Sequence, residues 1–184
     1  MMYRQLNESE KEVLIKNGCS ADNWENIRVK EDFNPAYVKN VEFSGNISLG
    51  TFTRDFDQAG GFKVHSGIFD VRLHNVSVGD DCYIHSVHNY IANYNISNDV
   101  FIENTNLIVV DGESTFGNGV RVPVMNETGG REVPIYDYLC APLAYILTMY
   151  RHDTELVEKL EEMINVYTEK QKSSVGYIGC NVKI

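Results

Sequence analysis

A six-residue spacing of apolar side chains constrains the fold of this chain more than any other feature of its sequence. Written in sixes from Val78, the middle of the chain is VGDDCY, IHSVHN, YIANYN, ISNDVF, IENTNL and IVVDGE, and every first position is apolar. Upstream, Val41 and Ile47 repeat the step in VEFSGN and ISLGTF. Short apolar stretches that alternate with Gly, Asn and Asp are typical of strands joined by tight turns. The period therefore predicts a repeated strand-and-turn structure.

A period of six residues has a simple geometrical meaning. One short strand and one turn make a flat side of a triangular coil, three sides close the coil, and the next coil stacks at the strand spacing of roughly 4.8 Å. The pairs that this geometry places side by side, pointing inward, are Val78 with Ile96, Ile84 with Ile102, and Tyr90 with Ile108. An antiparallel meander with accidental spacing is the alternative.

The pattern resembles the left-handed parallel β-helix of hexapeptide-repeat proteins. More narrowly, HSGIFDVRLHN, HNYIANYNI and FGNGVRVPVMNETGGREVPIYDYL are similar to an uncharacterised bacterial family of that type, common in Bacteroidales and known only as a domain of unknown function. The similarity covers nearly the whole chain. It implies a mainly β fold, a left-handed parallel β-helix with short N-terminal helices and a two-helix segment near the C-terminus. It brings no established reaction.

The hexapeptide family places a small residue at the fifth position of each repeat, and this sequence departs from that rule. Cys82 and Val100 fit the family pattern, whereas His88 and Tyr94 are too bulky for a narrow regular coil. We therefore expect the middle coil to be distorted or expanded, or to display these side chains outward.

Four segments are expected along the chain. Residues 1–40 are predicted to form a helical cap, with one helix capped by Asn7 or Ser9 and a second helical turn around Trp24. Residues 41–124 carry the repeats, and residues 125–172 form a loop and a helical pair inserted between them. Residues 173–184 contain a fresh repeat, IGCNVK, so the chain is expected to be a fragment of a longer protein. A lone edge strand is the alternative for this last segment.

The two predicted helices near the C-terminus show apolar stripes. Pro142 suits the first turn of the first helix, and Asp153 can cap the second. The stripe of the first helix is Leu143, Ile146, Leu147 and Tyr150, and that of the second is Leu156, Leu160, Met163 and Tyr167, with Val157 and Ile164 beside it.

Charge and composition exclude several function classes. The formal net charge of −10 disfavours nucleic acid as a partner, because an acidic surface repels phosphates. The sequence contains no apolar run of the roughly 20 residues that a membrane span needs, and its polar beginning does not resemble a signal peptide. None of the four cysteines forms a CxxC pair. These features predict a cytoplasmic protein that binds neither nucleic acid nor membrane.

His85 and His88 are the candidate catalytic residues. In hexapeptide-repeat acyltransferases, a histidine that projects from a coil acts as general base toward an acceptor hydroxyl or amine, which then attacks an acyl thioester. The resemblance thus implies acyl-CoA as a possible donor and a homotrimer as the assembly, with Asn89 positioning the substrate. A structural or merely exposed histidine is the alternative for each. A metal site is disfavoured, because on strands the spacing puts the two imidazoles on opposite faces.

A glycine-rich segment between Phe116 and Tyr138 is the second candidate site. Paired glycines let backbone amides face an anion, and an arginine can add a bidentate grip on a phosphate or carboxylate. The predicted substrate-binding residues of this segment are Asn126, Glu127, Gly129, Gly130 and Arg131. A long turn between the repeats and the helices is the simpler interpretation.

Three functions are consistent with these features. The first is a transferase that acts on a sugar or sugar nucleotide with a histidine base. The second is a non-catalytic β-helix that serves as a scaffold or binding module. The third is the β-helical appendage of a sugar nucleotidyltransferase. The sequence leaves the substrate, the donor and the oligomeric state open.

Overall fold

A computed structural model describes residues 3–124 and 132–184, and within them the chain is mainly β, with mixed sheets and three α-helices. Two compact units are present: one runs to Asp111 and resumes at Val175, and the other is Gly112–Ser174. The strands are β1 Tyr3–Gln5, β2 Ser20–Ala21, β3 Ile27–Lys30, β4 Val38–Leu49, β5 Asp55–Asp57, β6 Lys63–His65, β7 Gly67–Val78, β8 Tyr83–His85, β9 Ile91–Ile96, β10 Phe101–Glu103, β11 Ile108–Val109, β12 Arg121–Pro123, β13 Glu132–Pro134 and β14 Gly176–Ile178. The α-helices are α1 Glu8–Lys16, α2 Ala141–Met149 and α3 Thr154–Gln171.

The larger unit is built from successive parallel passes of the chain. We call each traverse of the chain along the stack a pass. The first pass contains β4, the second contains β7, the third contains β8 and β9, and the fourth contains β10, β11 and then β14. Parallel pairing joins β4 to β7, β7 to both β8 and β9, β8 to β10, and β9 to β11 and β14. Val78 pairs with Ile96 and Ile84 pairs with Ile102, so these two registers are the ones that the six-residue period predicts.

One predicted register is wrong. Ile91 pairs with Ile108 and is fully buried, whereas Tyr90 is 41% exposed. The cause is a longer path in the third pass: six residue steps separate His85 from Ile91, whereas four separate their partners Phe69 and Leu73 in the second pass. Because of these two additional residues, the inward residue of the third pass is Ile91, one position later than the six-residue repeat predicts.

Residues in the left-handed region of backbone conformation recur at three places along the passes, which we call corners, and some of them lie inside β4, β7 and β9. Asn and Asp tolerate a positive φ better than other residues with a Cβ, because their short polar side chains bond locally. Corners of neighbouring passes are joined by hydrogen bonds, for example from Asn40 Nδ2 to Asp70 Oδ1 at 2.9 Å and from Asn75 Nδ2 to Asn93 Oδ1 at 3.3 Å. The residues concerned are Asn40, Asp70, Ser86 and Asn104 at one corner, Gly45, Asn75 and Asn93 at the next, and Asp81, Asp99 and Asn181 at the third.

The first forty residues contain strands as well as the predicted helix. Asn7 caps α1, and its side chain and that of Glu10 form a reciprocal capping box. The second predicted helix is only a 3-10 turn over Trp24–Asn26, which is capped by Asn23 and leads directly into β3. Since β3 pairs in parallel with β4, this segment extends the stack of strands rather than forming a purely helical cap.

A short hairpin of β5 and β6 leaves the stack between the first two passes. Its residue Phe56 packs against rings on the outer face of the stack, with ring centroids 5.4 Å from Phe101 and 6.4 Å from Tyr83. The hairpin therefore covers aromatic side chains that would otherwise face solvent on the strands β8 and β10.

The smaller unit has its own core. Val133, Leu147 and Ile164 are buried together, from β13, α2 and α3. In α3 the buried face contains Ile164 and Thr168, while Met163, which the sequence places on the apolar stripe, is 47% exposed. No helix in the described part of the chain is both long and apolar enough to span a bilayer.

Candidate functional site

The longer path of the third pass creates a bulge between β8 and β9. Val87 is buried and anchors it, whereas the next three residues, His88, Asn89 and Tyr90, are exposed. The bulge is ordered by the fourth pass, because the backbone amides of His88 and Asn89 donate to the carbonyl oxygens of Thr105 and Asn106, each at 2.9 Å. The expected expansion of the middle coil is present here, and it displays His88 outward.

The His88 imidazole is held on one side. Its Nε2 atom lies 3.1 Å from Oδ1 of Asn104, a corner residue of the fourth pass, and Asn89 Nδ2 donates to Asn106 Oδ1 at 2.8 Å. An amide oxygen at Nε2 favours the tautomer with hydrogen on that nitrogen, which leaves the Nδ1 lone pair available as a proton acceptor. The pair has the geometry of a base and the group that orients it.

His88 lines a shallow hollow of about 190 Å³. Besides His88 and Asn89, its lining includes Asp70, Arg72 and Glu42. Arg72 Nε donates to Glu42 Oε2 at 2.8 Å, and both side chains remain more than half exposed, so the guanidinium has further donors free to meet a ligand. Sequence reasoning missed both Arg72 and Asn104, because their proximity to His88 depends on the register between passes.

His85 lies on the other side of the same corner and has a different environment. Its Nε2 is 3.5 Å from Asp70 Oδ2 and its Nδ1 is 3.6 Å from Glu103 Oε1. The same Glu103 carboxylate also acts on the neighbouring Tyr83, whose pKa is raised by burial and, to a lesser extent, by this charge. Because a carboxylate faces each ring nitrogen, His85 is less suited than His88 to accept a proton from a substrate.

The hollows at the two histidines share two lining residues, Asn40 and Asp70. Asp70 lines the hollow at His88 and also a second hollow of about 360 Å³ at His85, to which Lys39 and His65 contribute as well. The structure thus brings His85, His88 and Asn89 around one corner of the stack. Among the described residues, no group of three or more His, Cys, Asp or Glu side chains is arranged to hold a metal ion.

A larger groove of about 930 Å³ adjoins the hollow at His88, because Glu42 and Arg72 line both. It contains the exposed ring of Tyr90 and a pair formed by Ser44 Oγ and His74 Nδ1 at 2.8 Å. It crosses the outer faces of strands β2, β4, β7, β9 and β11.

The serine–histidine pair of this groove is not arranged as a nucleophile and its base. Asn75 Oδ1 accepts the backbone amide of Asn46 at 3.0 Å, which fixes the orientation of the Asn75 amide. Its Nδ2 then donates to His74 Nε2 at 3.0 Å, so the hydrogen of this imidazole is on Nδ1 and is directed at Ser44. A histidine that donates to the hydroxyl cannot remove its proton.

The predicted anion site of the glycine-rich segment is mostly outside the described residues. This applies to Asn126, Glu127, Gly129, Gly130 and Arg131. Of the flanking glycines, Gly117 and Gly119 are described and have φ values of 89° and 79°. An added Cβ at Gly119 would lie 2.9 Å from Thr168 Cγ2, so close packing as well as backbone conformation requires glycine there.

Comparison with known proteins provides a family but no activity. An uncharacterised protein of Treponema pallidum (strain Nichols) is 27% identical over 187 residues, covering 96% of this chain. The chain spans about a quarter (26%) of the length of that relative. No solved structure matches the chain. The model of a domain of unknown function, DUF4954, matches residues 3–184, and the chain therefore belongs to that family.

Proposed function

We propose that the larger unit is a left-handed parallel β-helix of the hexapeptide-repeat type, and that the chain is a transferase with His88 as its general base. Parallel pairs 18 residues apart, such as Val78 with Ile96, and three corners of left-handed residues support the fold. In this proposal, Gly112–Ser174 is an insertion into the fourth pass, since β11 and β14 on either side of it both pair with β9.

The bulge that presents His88 is the observation that carries the functional proposal. Two additional residues in a regular stack disturb packing, and here they expose an imidazole whose Nε2 lies 3.1 Å from Asn104 Oδ1 and which lines a hollow. Arg72 and Asn89 border the same hollow and supply hydrogen-bond donors for an acceptor molecule. A purely structural bulge would not need its histidine to be oriented from a neighbouring pass.

The proposed reaction is the transfer of an acyl group from acyl-CoA to a hydroxyl of a sugar or sugar nucleotide. His88 Nδ1 removes the hydroxyl proton while the oxygen attacks the thioester carbonyl carbon. Collapse of the tetrahedral intermediate breaks the carbon–sulfur bond and releases CoA as a thiolate, which takes up the proton that His88 removed, so the base is regenerated. Asn104 is a positioning residue: its amide oxygen favours the tautomer with the hydrogen on Nε2, so the Nδ1 lone pair can accept the hydroxyl proton. The family resemblance further suggests a homotrimer.

A non-catalytic binding module is the second candidate, and the size of the hollow favours it. A volume of about 190 Å³ is below the range of roughly 300–1,000 Å³ that is usual for small-molecule sites. A β-helical appendage to a catalytic domain elsewhere in a longer protein would have the same property. Both alternatives predict that mutation of His88 changes no turnover.

The deciding experiment measures acyl transfer from acetyl-CoA to a panel of sugars and sugar nucleotides, with CoA release followed by chromatography. We expect His88→Ala to lower kcat by about 100-fold or more, since general bases contribute roughly that much. Asn104→Ala should shift the pH profile of kcat. His152→Ala, which replaces an exposed histidine of the smaller unit, is the matched control and should retain full turnover. Full turnover in His88→Ala, or no turnover with any acceptor in the unmodified protein, would refute the assignment of the base.

A further inference from the structure

The groove of about 930 Å³ has no role in the proton transfer, yet it is the largest of the hollows on the outer face of the stack described above. Five parallel strands cross it, so at the usual strand spacing it extends over roughly 19 Å. This length is far more than a single sugar ring occupies. The groove therefore suits an elongated ligand that lies across the strands.

The floor of the groove excludes an extended peptide that adds a strand. Its central strands β4, β7 and β9 each have parallel partners on both sides, so their backbone donors and acceptors are already used within the sheet. Peptides that join a sheet need an unpaired edge. A ligand that lies over these three strands must be recognised by the side chains that project from them.

Those side chains are aligned from strand to strand, and they carry carboxylate, guanidinium, imidazole and hydroxyl groups. Ser44 pairs with His74 across β4 and β7, and Glu42 pairs with Arg72 in the next outward position. The aligned side chains are held by hydrogen bonds from Asn75 Nδ2 to His74 Nε2 and to Asn93 Oδ1, at 3.0 and 3.3 Å. The Glu42–Arg72 pair, with acceptors and donors side by side and both side chains more than half exposed, matches the vicinal hydroxyls of a sugar.

Tyr90 supplies the apolar contact that such a ligand needs. Its ring is 41% exposed in the groove and follows His88 by two residues in the same bulge. The aliphatic face of a sugar ring packs well on an exposed tyrosine, which is apolar on its face and polar at its tip. One local expansion of the stack thus provides both the proposed base and a stacking surface.

The charges of the groove favour a neutral ligand. Asp22, Glu42 and Asp111 line it, against one guanidinium, that of Arg72. The chain as a whole carries a net charge of −10. Polyanions, including acidic glycans, would be repelled, whereas an uncharged chain of sugars would lose little on entering.

We propose that this groove binds a neutral, extended oligosaccharide, with one ring stacked on Tyr90 and hydroxyls bonded to the Glu42–Arg72 pair. The inference rests on the proposed function only in that the end of the ligand at Arg72 would present the acceptor hydroxyl to His88. The oligosaccharide is therefore the acceptor, and the groove selects for its length.

Calorimetric titration with neutral gluco-, manno- and N-acetylglucosamine oligosaccharides, from monosaccharides to hexasaccharides, tests the proposal on the unmodified protein. We expect at least one series to bind with an affinity that rises with length until the groove is filled. Tyr90→Ala should weaken binding about tenfold, the effect of one lost aromatic contact. Tyr177→Ala removes another exposed tyrosine and should bind normally.

His88→Ala separates the two proposals. It should bind the oligosaccharide normally, because the base is not needed for binding, while turnover is lost. If oligosaccharides bind through Tyr90 but His88→Ala keeps full turnover, the groove assignment stands and the proposed base fails. The groove assignment is overturned if no neutral oligosaccharide binds, if Tyr90→Ala binds as tightly as the unmodified protein, or if an acidic oligosaccharide or an extended peptide binds there more tightly.

Discussion

Gly50 and Gly79 lie so close to each other that a Cβ atom at Gly50 would be 2.4 Å from the carbonyl oxygen of Gly79. The backbone amide of Gly50 donates to Val78 and that of Gly79 donates to Ile96, each at 2.8 Å. Neither glycine has a positive φ, so backbone conformation does not require them. They are needed because successive passes approach each other closely at this corner.

Gly50→Ala should destabilise the protein by about 1–3 kcal/mol, the usual effect of forcing an additional carbon into a packed site. Urea unfolding followed by circular dichroism measures the change. Gly179→Ala is the matched control, because its added Cβ would meet only Tyr177 Cε1 at 4.0 Å, which is an ordinary contact. Equal stability of the two variants would contradict the close approach.

Ile84 is fully buried between its partners Ile68 and Ile102 in neighbouring passes. We expect Ile84→Ala to lower the free energy of unfolding by about 2–5 kcal/mol, because a large buried side chain leaves a cavity that the stack cannot fill. The exposed Ile15 provides a control of the same chemistry, and Ile15→Ala should change stability by less than about 1 kcal/mol. A small effect at Ile84 would show that the inward column is not the core.

The sequence predicted part of the inward column because the pairs Val78 with Ile96 and Ile84 with Ile102 lie 18 residues apart, which is three repeats of six. The prediction failed at Tyr90, where two additional residues lengthen the third pass, since a count in sixes cannot register a bulge. The bulk of His88 did indicate that something disturbed the coil. Asn104 and Arg72 could not be associated with it, because only the register between passes brings them near. In α3 the predicted apolar stripe included Met163, whereas the buried face contains Ile164. Helical spacing alone does not distinguish the two faces, because apolar residues lie on both.

Asp80 ties distant parts of the larger unit together. Its Oδ2 lies 2.5 Å from Lys30 Nζ, and its Oδ1 accepts the backbone amide of Thr51 at 3.0 Å. Burial alone would raise the pKa of this carboxyl, but the hydrogen bonds and the charge of Lys30 outweigh it, so the pKa is lowered. The carboxylate thus stabilises the fold most at neutral pH.

The sign of the pH effect follows from that lowered pKa. The stabilising contribution is complete above the pKa of an unfolded aspartate, about 3.9, and is lost as the pH falls through the lower folded value. Asp80→Asn should lower the free energy of unfolding by about 1–3 kcal/mol at neutral pH, because it removes the charge from paired donors. The difference from the unmodified protein should shrink in acid. Urea unfolding between neutral and strongly acidic pH measures it, with the exposed Asp57→Asn as control. A difference that is independent of pH would contradict this role.

The four cysteines should divide into two classes by reactivity, because two are buried and two are exposed. Burial, reinforced by nearby aspartates, raises the pKa of the Cys82 thiol to about 12, and burial also raises that of Cys19. A thiol with a raised pKa has little thiolate at mildly alkaline pH, and thiolate is the reactive form. A colorimetric disulfide reagent should therefore label two thiols at once in the folded protein and all four in denaturant. Cys140→Ser and Cys180→Ser should each remove one rapidly labelled thiol, whereas rapid labelling of Cys82 would show that the corner beside Asp80 opens in solution.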